Sequence, residues 1–184
     1  MQPQDIERYL VALDQALATQ GIMTPIPVLL LGGAYITLQI NARRATNDID
    51  VFPFVQGDID QATGIPLAVA LYQAAQAVTE QYQLRPTWFN TIRIGALQPR
   101  GVVPQRKRWK QYQVLEVYLP EAEYVLVQKL LIHRRKDRQD IQALLQTLEI
   151  SDYTRALTLL DRYVSPEEQS QQKLPLLLRS YFPS

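Results

Sequence analysis

The stretch Val28–Phe52, VLLLGGAYITLQINARRATNDIDVF, decides how this chain is read. Val28 to Leu31 is a short unbroken apolar run of the kind expected for a buried strand. Gly32-Gly33 allows a tight turn in which no Cβ keeps the backbone away from a ligand. Ala34 to Ile40 suits a short helix, whose first N–H groups lack partners within the helix and face whatever sits at the turn. Asn47 to Phe52 reads as a second strand, with Asp48 and Asp50 on one face and Ile49 and Val51 on the other. Two carboxylates about 7 Å apart along a strand repel unless a cation lies between them. Mg²⁺, a hard ion that takes carboxylate and phosphate oxygens, fits that place best. The plainer alternative is a pair of solvated aspartates at a strand end, beside an ordinary glycine turn.

Around this stretch the composition sets bounds. The chain has 184 residues, 47% of them hydrophobic, enough for one well-packed domain or a domain with a helical extension. It has no cysteine, which excludes disulfides and thiolate metal sites and fits a cytoplasmic location. The start, MQPQDIERYL, lacks the basic and apolar regions of a signal peptide. No apolar run approaches the length of a membrane span. Net charge is +1, so a nucleic-acid contact would have to come from local basic clusters.

Periodicity predicts a helix from Asp5 to Ala18 and another from Pro66 to Gln83. Trp88 to Leu97 and Trp109 to Leu119 read as strands, joined by a Pro- and charge-rich connection from Gln98 to Arg108. Glu121 to Arg134 and Asp137 to Leu148 read as helices, and two more follow with Ser151 and Ser165 as N-caps. A second acidic pair, Asp58 and Asp60 in Gly57-Asp-Ile-Asp60, has no glycine turn and helix before it and reads as a loop.

Joined together, the strand, Gly-Gly, short helix and R-x-T-x-D-I-D resemble the signature of the nucleotidyltransferase (polymerase-beta-like) fold. The branch is the one that holds AbiEii-type toxins and related bacterial proteins. The matching residues are Gly32, Gly33, Arg44, Thr46, Asp48 and Asp50. Many members have Gly-Ser where this chain has Gly32-Gly33, so a hydroxyl that could contact phosphate is absent. The resemblance implies an α/β (α+β) fold, with a mixed β-sheet flanked by helices over residues 1–120. A helical C-terminal region, residues 121–184, would pack on that core as one unit. It also implies a Mg²⁺-dependent enzyme that moves NMP from an NTP to a hydroxyl on an RNA such as tRNA, a protein or a small molecule. By analogy an antitoxin protein is a partner. A relative that has lost catalysis and serves as a nucleotide- or protein-binding module is the alternative.

On this resemblance Asp48 and Asp50 hold metal, with Glu116 on a neighbouring strand as third carboxylate. The alternative for Glu116 is an exposed residue beside Tyr118. Gly32 and Gly33 would present N–H groups to the triphosphate. Arg44 would neutralise phosphate or pair with a carboxylate, or form a surface salt bridge, and Thr46 would bind nucleotide or only shape the loop. The run K-L-L-x-H-R-R-K-D-R-Q-D-I resembles the family's later motifs and would place Lys129 on phosphate, with Asp140, and less directly Asp137, lining the site. Against this, Asp137 and Asp140 approximate a helix capping box. In one continuous helix Lys129 and Asp140 would stand about 16 Å apart. His133, the sole histidine, is given no role. Two basic clusters remain: Arg100, Arg106, Lys107, Arg108 and Lys110 with Trp109 among them, and Arg134, Arg135, Lys136 and Arg138. Either is a solvated face or an RNA surface, on which Trp109 could stack a base.

Overall fold

Ile6, Leu10, Leu13 and Leu17 recur at three- and four-residue spacing and become the buried stripe of α1 (Pro3–Thr19). The computed structural model describes residues 1–40, 42, 45–55, 57–91 and 104–182. After α1 come β1 (Ile26–Leu31), a short helix α2 (Gly32–Tyr35) that continues as one π-helical turn (Ile36–Ile40), and β2 (Ile49–Pro53). Next are α3 (Leu67–Tyr82), β3 (Phe89–Thr91), β4 (Arg106–Gln111) and β5 (Leu115–Pro120). The C-terminal part is helical: α4 (Ala122–Ile132), a 3-10 turn (Arg135–Asp137), α5 (Arg138–Thr147), α6 (Tyr153–Tyr163), α7 (Pro166–Gln171) and α8 (Leu174–Arg179).

The strands form one five-stranded mixed sheet, ordered β3-β2-β1-β5-β4 and flanked by helices. β1 runs antiparallel to β2 and parallel to β5; β2 runs parallel to β3, and β4 antiparallel to β5. Pairing register fixes the two faces, because directly opposed residues point the same way. One face carries Ile26, Val28, Leu30, Ile49, Val51, Leu115 and Val117, all fully buried. The other carries Leu29, Leu31, Asp50 and Phe52, then Asn90 opposite Asp50 and, on β5, Glu116 and Tyr118. That second face is the one with polar groups, and the candidate site lies at one end of it. A single apolar cluster runs from Ile6 to Leu178, so the C-terminal helices share the core of the sheet. Among the described residues no helix is long and apolar enough to cross a membrane.

Several elements differ from the sequence reading. Asp48 precedes β2 rather than lying within it. The predicted strand from Trp109 to Leu119 is two strands, β4 and β5, folded back through Tyr112–Val114. The cause is a distant carboxylate. Asp14 of α1, 7% exposed, accepts hydrogen bonds from the N–H groups of Gln113, Val114 and Leu115 at 3.2, 2.7 and 2.8 Å. Three consecutive donors aimed at one carboxylate turn the chain and tie α1 to the sheet. Of the predicted Trp88–Leu97 strand, Phe89–Thr91 is strand, and residues 92–97 lie outside the described residues.

Asp152, not Ser151, caps α6 by accepting from Arg155 N–H at 2.9 Å, whereas Ser165 does cap α7. Lys173, at φ 54°, breaks the last predicted helix into α7 and α8. The loop pair is structural: Asp60, fully buried, accepts from the N–H groups of Met23, Thr24, Ala62 and Thr63. Those hydrogen bonds, led by that of Thr24, outweigh burial and hold its carboxyl far below the usual range.

Candidate functional site

Asp50 leaves β2 opposite Leu31, the last residue of β1, and the chain turns at the next residue, Gly32. Gly32 has φ +62°, a left-handed conformation that favours glycine. A Cβ at Gly32 would collide with Oδ2 of Asp50, so the missing side chain makes room for that carboxylate. Helix α2 starts at this point, and its first-turn N–H groups have no acceptor within the helix. Thr37 Oγ1 donates to the Gly33 carbonyl at 2.9 Å and fixes the turn from behind.

Asn90 and Asp48 act most directly on the Asp50 carboxyl, and Thr46 in turn fixes Asp48. Asn90 Nδ2 donates to Asp50 Oδ1 at 3.2 Å across the β2–β3 pair. Asp48 lies near enough for its charge to be felt. Thr46 Oγ1 reaches the Asp48 carbonyl at 3.1 Å and its Oδ1 at 3.3 Å, ordering the entry to the strand. The Asp50 carboxyl is raised above the ordinary aspartate range, first by burial and then by the Asp48 charge; Asn90, Arg134 and Lys129 act in the opposite sense. A half-buried carboxyl beside a second one has the chemistry of a dication ligand. Among the described residues no group of three or more His, Cys, Asp or Glu side chains is arranged to hold a metal. A two-carboxylate set still fits Mg²⁺, which is commonly held by one or two carboxylates with phosphate and water completing its octahedron.

Lys129 sits differently from the expectation. It is 4% exposed, and its Nζ lies 2.8 Å from both Asp137 Oδ1 and Asp140 Oδ2, each of them fully buried. The continuous helix does not form. His133 takes φ 40°, ψ 60°, Arg134 is extended, and the 3-10 turn swings Asp137 and Asp140 back onto α4. Asp137 makes no side-chain cap to α5, so the capping box is not formed. Its other oxygen, Oδ2, accepts from Arg134 Nε at 2.9 Å. Burial pushes the Asp137 carboxyl up, but the hydrogen bonds from Lys129 and Arg134 outweigh it and leave it below the usual range.

Leu31, Gly32, Asp50, Gln128, Lys129 and Arg134 line one cleft of about 40 Å³. The structure therefore brings together Gly32, Asp48, Asp50, Thr46 and Lys129, with Asp137 and Asp140 behind Lys129. Arg44 lies outside the described residues.

Glu116 is not brought to this place. On β5 it pairs with Pro27, while Asp50 pairs with Leu31, four residues further along β1. That is about 13 Å along the strand, before the width of β1 is added. Glu116 instead accepts from the Tyr118 hydroxyl at 2.9 Å and stands 3.8 Å from Arg108. The polar residue beside Asp50 on an adjacent strand and the same face is Asn90, which the sequence does not single out. A search for acidic residues passes over an amide. Arg134 was seen only as part of a charge run; its place behind a helix break gave no periodic signal.

The basic strand β4 is exposed at Arg106, Lys107 and Arg108. Arg106 lies 3.9 Å from the Phe54 ring centroid, Lys110 reaches Glu7 at 3.2 Å, and Trp109 is half-buried. Arg100 lies outside the described residues. Arg106, Lys107, Arg108 and Trp109, with Tyr35 and Glu121, line an open cavity of about 560 Å³.

No protein-family model, no curated protein and no solved structure matches this chain.

Proposed function

We propose that this chain is a Mg²⁺-dependent nucleotidyltransferase that moves NMP from an NTP to a hydroxyl acceptor. The observation that carries the reading is the fit of the Asp50 carboxylate into the space left by Gly32, at the start of a helix and beside Asp48. A bound Mg²⁺ would neutralise triphosphate charge and favour attack on the α-phosphorus. The acceptor hydroxyl would give up its proton to solvent as its oxygen bonds to that phosphorus, the bond to the α,β-bridging oxygen breaks and pyrophosphate leaves. Asp48 and Asp50 would hold the cation, the α2 N–H groups would face the phosphates, and Lys129 with Asp137 and Asp140 supports the wall of the cleft. The exposed basic strand β4 supports an RNA acceptor, tRNA among the candidates. An antitoxin partner rests on the family resemblance alone.

A second reading, a nucleotide-binding module without turnover, is favoured by Asn90. An amide stands beside Asp50 where a third carboxylate would be expected, and it can neither take a proton from a hydroxyl nor add charge for a second metal.

The test is incubation with each α-labelled NTP, Mg²⁺ and total tRNA. Label transfer that is lost in Asp48→Asn and Asp50→Asn supports the enzyme. NTP binding without transfer supports the module, and unchanged Mg²⁺–NTP affinity in both variants places the site elsewhere. Affinity for Mg²⁺ should weaken as pH falls through the raised value of Asp50, because proton and cation compete for it. The same raised value means that Asp50 favours the folded state when protonated, an advantage lost as pH rises. Without a cation, Asp50→Asn should therefore be neutral or stabilising at pH 7.

A further inference from the structure

We propose that Arg134, rather than Lys129, is the residue of this cleft that grips the terminal phosphates of the nucleotide; the inference rests on the nucleotidyltransferase reading. Lys129 has its charge met by two buried carboxylates at 2.8 Å, and its own exposure is 4%. An ammonium fixed between two aspartates has little left to offer a third anion.

Arg134 has the opposite character. Its side chain is 47% exposed and lines the same cleft as Gly32 and Asp50. Asp137 accepts from Nε, the inner edge of the guanidinium, at 2.9 Å. Nη1 and Nη2 have no partner among the described residues, which leaves four N–H bonds in a flat fork. Such a fork matches two oxygens of one phosphate, and an ammonium does not. One carboxylate thus fixes both cations: Oδ1 of Asp137 takes Lys129, and Oδ2 orients Arg134.

The experiment is calorimetric titration of the full chain with inorganic tripolyphosphate, and separately with ATP, both with Mg²⁺. The variants are Arg134→Ala, Arg134→Lys and Arg135→Ala. Arg135 is exposed, neighbours Arg134 and does not line the cleft, so it controls for loss of one positive charge. Arg134→Ala should weaken both ligands roughly ten- to a hundred-fold, the range for a charge-assisted hydrogen-bond pair. Arg134→Lys should fall between, and Arg135→Ala should stay within about two-fold. Wild-type binding that Arg134→Ala leaves intact overturns the inference while the nucleotidyltransferase reading stands. Equal losses in Arg134→Ala and Arg135→Ala also overturn it, since the effect is then general charge. Absence of wild-type binding to both ligands overturns the inference and the reading together.

Discussion

Replacing Lys129 by Met tests the buried cluster most directly. Methionine is unbranched, apolar and close to lysine in length, so at a position 4% exposed it changes packing little. What is lost is the cation 2.8 Å from Asp137 and Asp140, both fully buried. Removing one partner of a buried ion pair leaves an uncompensated charge and costs about 3–5 kcal/mol. Asp137 keeps Arg134, a half-exposed partner, so the lower part of that range applies, about 3 kcal/mol. For a chain of this size each kcal/mol lowers Tm by about 2–4 °C, which gives a fall of about 6–12 °C. The assay is urea and thermal unfolding followed by circular dichroism at pH 7 and repeated toward acid pH. The sign of the pH effect follows from Asp137. Its folded value lies below the ordinary one, so the stability it contributes is present above the ordinary range and lost as pH falls through the lowered value. Lys129→Met removes the largest source of that depression, so the gap between variant and wild type should close in acid. A loss below about 1 kcal/mol at pH 7, the scale of an exposed pair, would refute burial of the cluster.

Gly32→Ala should lose about 1–2 kcal/mol, the penalty of a left-handed L-residue, because Gly32 has φ +62°. Its Cβ should also push the Asp50 carboxyl aside, so Mg²⁺ titration by calorimetry should show weaker binding even where folding is retained. Glu116→Gln should change stability by no more than about 0.5 kcal/mol and leave any label transfer unchanged, since among the described residues Glu116 meets Tyr118 and Arg108 and not Asp50. A loss of turnover in that variant would bring Glu116 back to the centre.

The elements legible in the sequence were those written by local rules. An apolar run, a Gly-Gly turn and a polar-apolar alternation gave β1, α2 and β2 within a few residues, because each depends on neighbours in the chain. The misses that matter most for the site and the sheet depend on partners beyond the next turn of chain, whereas those at the α6 cap and at Lys173 are local. The β4–β5 turn is made by Asp14, 99 to 101 residues away, and nothing near Gln113 announces it. The break after α4 has no glycine or proline to mark it; His133 enters the left-handed region because the residues after it are drawn back to Lys129. Asn90 became visible only when register placed it opposite Asp50.

Why a chain would retain that break and that cluster is a question of free energy. A left-handed L-residue costs about 1–2 kcal/mol. A buried lysine with two aspartates adds little net stability, since apolar residues of similar volume commonly do as well. Stability alone therefore does not account for the arrangement. Its geometric consequence does. The return of the chain at His133 sets Asp137 behind both Lys129 and Arg134, and it holds a guanidinium at the mouth of the cleft that contains Gly32 and Asp50. An apolar core at the same place would preserve the fold and lose that placement. Substitution of Lys129, Asp137 and Asp140 together by apolar residues should accordingly leave unfolding free energy near the wild-type value while nucleotide affinity falls.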